Sequence, residues 1–325
     1  MRLRFILANL VAPLVTALPP HSARAQQADR RLHPSETRIS VGSTSLYARV
    51  IGEGLPVIVL HGGPDFDHGY LLPDLDRLTD AFRLIYYDQR GRGRSAESVR
   101  PEDVTLASDV QDIDRVRQHF QLDAPAVLGH SWGAVLALEY ALRYPTRVSR
   151  LILMNPAPVS ASDVAVVRKV YLERLGADME LQRAIVASAA YQAGEPEAVA
   201  ARYRIHFKPS LKRAEDYERM MTTMRAGFLS QGREGIVRAR AIEDQLMRDT
   251  WQLADYDLLP KLGSLRVPTL VIAGDQDFMV GAAERIARAI PNAELVTIKS
   301  CGHFAFLECP AEVRQAVNAF LRQPR

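Results

Sequence analysis

One pentapeptide, Gly129-His130-Ser131-Trp132-Gly133, limits the fold more than any other stretch of the chain. An apolar run that reads as a buried strand ends at Leu128, and a helical pattern starts at Trp132. G-x-S-x-G between a strand and a helix marks a sharp turn that lifts its central serine clear of the backbone. Such a turn forces the centre into an unusual φ/ψ and crowds its neighbours, which explains a glycine on either side. Ser131 then sits above the N-terminus of the next helix, where partial positive charge favours developing negative charge. With Gly and Ser each near 7% of residues, a chain of 325 residues holds only about 0.1 such match by chance. Ser131 is the candidate nucleophile.

A serine hydroxyl is a weak nucleophile unless a base lies in hydrogen-bond reach and an acceptor holds that base's tautomer. Both types follow later in the chain. The strand pattern Arg266–Ala273 empties into Gly274-Asp275-Gln276-Asp277, and the strand pattern Ala293–Ile298 leads to Cys301-Gly302-His303. His303 is the candidate base. Asp277 is preferred over Asp275 as its acceptor because it stands further past the strand end. Asp275 falls in the tight Gly-Asp turn, where such a residue caps.

The run Leu55–Leu60 has the uninterrupted apolarity of a strand buried on both faces, and it leads into His61-Gly62-Gly63-Pro64. Adjacent glycines at a strand end let backbone N–H groups face a ligand. Gly63 N–H is the expected first oxyanion donor and Trp132 N–H, just after the nucleophile, the second. His61 reads as a loop-holding hydrogen bonder, and the Trp132 indole as packing. The loop Asp88-Gln89-Arg90-Gly91-Arg92-Gly93-Arg94-Ser95 lacks G-x-x-x-x-G-K-[ST] spacing and a helix at its end, so it is not a phosphate cradle. Asp88 and Arg90 read as a brace.

Taken in order, 37–41 and 45–51 alternate around Gly42-Ser43 as a hairpin, 71–79 has helical spacing, and Phe82–Tyr87 reads as a strand. Val104–Phe120 is an amphipathic helix, Trp132–Tyr144 a helix stopped by Pro145, and Arg150–Met154 a strand. Strand-like runs vanish from 156 to 263, where the pattern is helical. Met220, Met221, Met224 and Phe228 there read as core packing. A helix over Glu284–Ile290 and another from Pro310 complete the pattern. The expectation is an α/β fold with a mostly parallel central sheet. Its core spans 37–155 and 264–325, and a helical cap, 156–263, is inserted after the sixth strand.

The N-terminus differs in kind. Basic Met1-Arg-Leu-Arg4, apolar Phe5–Leu18 and Ala23-Arg24-Ala25 read as a signal peptide over 1–25, followed by a polar lead-in over 26–36. An apolar run this short does not span a bilayer of roughly 30 Å. Export to the periplasm or beyond is therefore expected, with no other membrane role. The net charge of +3 comes from 41 basic and 38 acidic residues. Without Arg2, Arg4 and Arg24, 38 of each sign remain, so no nucleic-acid surface is implied. The two cysteines, Cys301 and Cys309, read as small buried thiols, with a disulfide chemically permitted after export. No Cys/His spacing suggests a metal site.

His61-Gly-Gly-Pro64, the Asp88–Ser95 loop, Gly129–Gly133 and Gly302-His303 with Glu308-Cys309-Pro310 together resemble the α/β-hydrolase superfamily. Within it they are most similar to the proline iminopeptidase-like branch of the serine peptidases. The resemblance implies a lidded Ser-His-Asp hydrolase that acts through an acyl-enzyme on a small ester or amide, without metal or organic cofactor. Its partner would be a small molecule or short peptide. The branch typically has Gly where this chain has Asp65, Cys where it has Arg92, and a W-x-x-W-E element in a cap that here holds only Trp251. In those peptidases cap acids hold the substrate amine. Glu195, Glu197, Glu234 and Glu243 are available here, with no motif to select among them. An aminopeptidase releasing N-terminal proline and a cap-defined esterase or lactonase both stay open. Epoxide hydrolases and haloalkane dehalogenases need a carboxylate at position 131. A non-catalytic binding protein is disfavoured by the complete Ser, Asp and His set.

Overall fold

The structure, a computed structural model, describes residues 33–323. The expected signal peptide and the lead-in up to residue 32 lie outside the described residues. The expected hairpin forms from β1 (Ser35–Val41) and β2 (Thr44–Ile51), with Val41 opposite Thr44. The remaining strands are β3 (Leu55–Leu60), β4 (Phe82–Tyr87), β5 (Ala126–His130), β6 (Arg150–Met154), β7 (Thr269–Gly274) and β8 (Ala293–Ile298). They form an eight-stranded sheet in the order β1-β2-β4-β3-β5-β6-β7-β8. From β4 to β8 every pairing is parallel, and β2 runs antiparallel to β1 and β4. The chain leaves β3 for β4 on one side and returns to β5 on the other. That reversal opens a crevice at the carboxyl ends of β3 and β5, where open α/β sheets bind ligands.

Helices cover both faces. In α1 (Leu106–His119), Thr105 and Ser108 cap each other's backbone N–H groups, which starts the helix two residues later than the apolar spacing suggests. α2 is Trp132–Arg143, and after β6 come α3 (Ala161–Leu175), α4 (Asp178–Ala187), α5 (Ala189–Gln192), α6 (Pro196–Phe207), α7 (Ala214–Asp249) and α8 (Leu259–Leu262). After β7 come α9 (Val280–Ala289), α10 (Ala305–Glu308) and α11 (Pro310–Leu321). Residues 71–79 do not form the expected helix. They give two short 3-10 turns, His68–Leu71 and Asp74–Leu78, because Pro73 lacks an N–H and Leu72 before it is extended (φ −98°, ψ 150°).

The long helix α7 bends at Gly232, whose φ of 64° and ψ of 178° are not helical. Before the bend, Met220, Met221, Met224 and Phe228 pack into one buried cluster with Leu71, Tyr203 and Phe304. Beyond it, Ile242 and Leu246 join the other, with α1, α2 and α9. The methionines are core, as their spacing suggests.

Candidate active site

The elbow is built by close approach. Ser131 takes φ 54° and ψ −116°, a conformation that L-residues avoid and that stores strain. A Cβ on Gly129 would lie 2.2 Å from Gly133 O, and one on Gly133 would lie 2.3 Å from Leu60 O. Any side chain at either position would therefore strike main chain. The strand itself runs to His130, beyond the expected Leu128.

Strand order then brings the distant candidates to this point. His303 Nε2 lies 3.1 Å from Ser131 Oγ, and His303 Nδ1 lies 3.0 Å from Asp277 Oδ2. Asp277 is buried, with 1% of its surface exposed. Burial pushes its carboxyl up, but the His303 ring, the Met279 N–H and the Asn155 amide outweigh this and hold it below its ordinary value. An ionised Asp277 accepts from Nδ1–H, which leaves Nε2 free to accept from the serine. Asp275 instead accepts from Ser300 N at 2.8 Å, so it ties down the turn after β8 and does not cap its own Gly-Asp turn as expected.

Asn155 is a member of this network that the sequence reading missed. It lies just past β6, is fully buried with φ 45°, and donates to Asp277 Oδ2 (2.9 Å) and to Gly302 O (3.1 Å). The available signal was an Asn at the carboxyl end of the strand between those carrying the nucleophile and the acid. Glu308 secures the same loop by accepting from Gly302 N at 2.8 Å and from Lys212 N at 2.6 Å. Cys301 and Cys309, read above as buried thiols, are buried but joined in a disulfide around this loop, with Cα atoms 6.4 Å apart. Spacing alone could not decide this, because the turn of α10 is what brings the two together.

Gly63 and Trp132 both line the cavity beside Ser131, and among the described residues neither backbone N–H has an acceptor in the protein. His61 holds the loop as expected. Its Nε2 accepts from Gln89 N at 3.0 Å, and its carbonyl accepts from Gln89 Nε2 at 2.8 Å. Asp88 binds the His68 ring at 2.6 Å and Arg94 N at 2.8 Å, while Arg90 pairs with Asp112 at 2.6 Å. They brace separate partners and do not touch each other, and neither lines the cavity. Arg92 is buried and donates to Asp109 and Gln89.

The cavity over Ser131 measures about 300 Å³ and is walled by the core loops on one side and by α3, α6 and α7 on the other. Trp132 and Trp251 meet edge to face at 5.5 Å on its wall. Of the four glutamates named above, Glu243 alone lines it. Glu195 pairs with Arg233 and Glu197 with Arg225 on the surface, and Glu234 is exposed. Burial and the nearby Asp65 carboxylate push Glu243 up to about 8. Arg202 also faces the cavity beside them, and Tyr203 donates its hydroxyl to Asp65. The arrangement can activate a hydroxyl, stabilise an oxyanion and hold a small molecule with apolar surface and a few polar groups.

Comparison with known proteins agrees with this fold. A family model described as alpha/beta hydrolase fold matches residues 56–310. The proline iminopeptidase of Thermoplasma volcanium is 28% identical over 274 residues, covering 83% of this chain and 90% of that protein. Among solved structures, a proline iminopeptidase of Mycobacterium smegmatis superposes with a TM-score of 0.64 at 24% identity, over 89% of this chain and 98% of that one. An enol-lactonase of Burkholderia xenovorans does so at 0.65 and 21% identity, over 88% and 100%. At these identities the two structures speak for the fold.

Proposed function

The chain belongs to the alpha/beta hydrolase fold family, and we propose that it is a serine hydrolase cleaving a small ester or amide through an acyl-enzyme. One observation carries the proposal: the continuous contact from Asp277 through His303 to Ser131, at 3.0 and 3.1 Å, on a strained elbow. In this reading Ser131 Oγ attacks the carbonyl carbon as His303 Nε2 takes its proton. The Gly63 and Trp132 N–H groups hold the oxyanion. His303 then gives the proton to the leaving alcohol or amine, and the C–O or C–N bond breaks. Water, deprotonated by His303, attacks the acyl carbon, and the proton returns to Ser131 as the acid leaves. Asp277 stays ionised and holds the ring.

For the substrate we propose an unblocked N-terminal prolyl peptide or its simple amide. The position of Glu243 in the cavity supports this: burial and Asp65 hold it protonated at neutral pH, and a substrate ammonium bound beside it would favour its ionised form and donate to it. A second reading, an esterase or lactonase, is favoured by Arg202, a cation already facing Asp65 and Glu243 in the cavity, which leaves less need for a substrate amine there. Export is part of the proposal, and the Cys301–Cys309 bond is the chemistry of an oxidising compartment.

The test compares the chain from Gln26 on proline p-nitroanilide and on short-chain p-nitrophenyl esters, with Ser131→Ala as the blank. Ser131→Ala should lose turnover by several orders of magnitude while still folding. Anilide turnover that collapses in Glu243→Gln supports the aminopeptidase. Ester turnover alone supports the second reading, and turnover surviving in Ser131→Ala refutes the mechanism.

A further inference from the structure

Beside Ser131, on the wall of the same cavity, polar groups that the reaction does not consume form an unbroken chain. Gly62 N donates to Tyr70 Oη at 2.7 Å, Tyr70 Oη lies 2.7 Å from His130 Nδ1, and His130 Nε2 lies 3.0 Å from His303 O. Chemistry decides the direction of each bond. A carbonyl only accepts, so Nε2 carries the hydrogen. Burial first, and the His303 ring beside it, push His130 down to about 3, so the ring is neutral and Nδ1 accepts. Tyr70 must therefore donate to Nδ1, and its oxygen takes the Gly62 N–H.

Each end of this chain lies in a different part of the site. Gly62 precedes the Gly63 amide, His130 precedes the nucleophile, and the far end is the backbone of His303. There is no slack between the parts. A Cβ on Gly62 would lie 2.9 Å from each of His130 O, Ser131 Cβ and Tyr70 Oη. Asp67 fixes the turn that presents Tyr70, accepting from Gly69 N at 2.7 Å. The rings of Phe304 and Phe306 pack around His130 at 5.7 and 5.3 Å.

We infer that Tyr70 and His130 are positioning residues for acyl transfer. They set the distance of the Gly63 amide from Ser131 and tie the His303 loop to the elbow. This rests on the serine-hydrolase reading above and deepens it. The oxyanion exists only in the transition state, so the loss of its alignment appears in kcat and leaves KM in place.

The experiment uses Tyr70→Phe, which keeps the ring and removes the hydroxyl, with His130→Gln and His130→Ala beside it. Active sites are counted by fluorophosphonate labelling, and turnover of p-nitrophenyl acetate and inhibition by an alkyl boronic acid are measured per active site. Tyr70→Phe should lower kcat roughly 10- to 100-fold with KM within about threefold, below the loss from deleting a direct oxyanion donor. Boronate affinity should fall in parallel with kcat/KM. Gln can donate to His303 O and accept from Tyr70, so His130→Gln should recover part of what His130→Ala loses. A Tyr70→Phe kcat per active site within twofold of the parent overturns the inference, as does a loss seen only in the number of active sites. Turnover retained by Ser131→Ala would instead overturn the hydrolase reading, so the two failures are distinguishable.

Discussion

Replacing Asn155 by Leu, a side chain of similar outline without the amide, probes the support behind Asp277. Two hydrogen bonds are lost, to Asp277 Oδ2 at 2.9 Å and to Gly302 O at 3.1 Å. A bond to a charged acceptor contributes about 2 kcal/mol and one to a buried carbonyl about 1 kcal/mol. Asn155 Oδ1 has no partner among the described residues, so its removal returns about 1 kcal/mol of desolvation cost. Asn tolerates the φ of 45° and Leu does not, which adds about 1 kcal/mol. The net destabilisation is about 3 kcal/mol, or a Tm lower by roughly 6–12 °C in a domain of this size.

The pH dependence supplies a sign. Asp277 has a depressed folded pKa, so its contribution is present above the unfolded value near 3.9 and is lost as pH falls through the folded value. Removing Asn155 brings the folded value back toward the unfolded one. The gap between parent and variant should therefore be wide at pH 7 and narrower at pH 3. Thermal melts at both pH values and kcat on p-nitrophenyl acetate, expected about tenfold lower at a cost of about 1.4 kcal/mol, form the assay. An unchanged Tm at pH 7, or a gap that widens toward acid, would refute the reasoning.

Two further outcomes follow from close contacts and covalent closure. Gly129→Ala should cost at least about 3 kcal/mol, because its Cβ meets main chain at 2.2 Å; Gly42→Ala, at φ 67° with open space around it, should cost about 1 kcal/mol. Equal losses in urea melts would sink the packing argument. The Cys301–Cys309 bond, closing a span of 8 residues, should stabilise by about 2–3 kcal/mol, so a reductant should lower the Tm and the double Cys→Ala variant should not respond. Two thiols titrating in the unfolded, unreduced chain would show that the bond is absent.

The sheet and the elbow were legible in the sequence because their signals are local. Uninterrupted apolar runs, and glycines either side of Ser131, mean the same thing wherever the chain goes. That Asp277 and not Asp275 meets His303 was also legible, since distance past a strand end decides what a side chain can reach. Asn155 was not, because its partner lies 122 residues away, and only the order of β5, β6 and β7 brings them together. Residues 71–79 misled for a different reason. Helical spacing carried past Pro73, although a missing N–H outweighs periodicity. The Cys301–Cys309 pairing depended on the turn of α10, which spacing cannot supply.

The bend at Gly232 has a thermodynamic consequence. Because α7 is rooted in one buried cluster before the bend and in the other beyond it, the segment over the cavity cannot peel away while both faces of the sheet stay closed. Its opening free energy therefore approaches that of global unfolding, and its deepest amides should exchange with those of β5 and β6 as one cooperative unit.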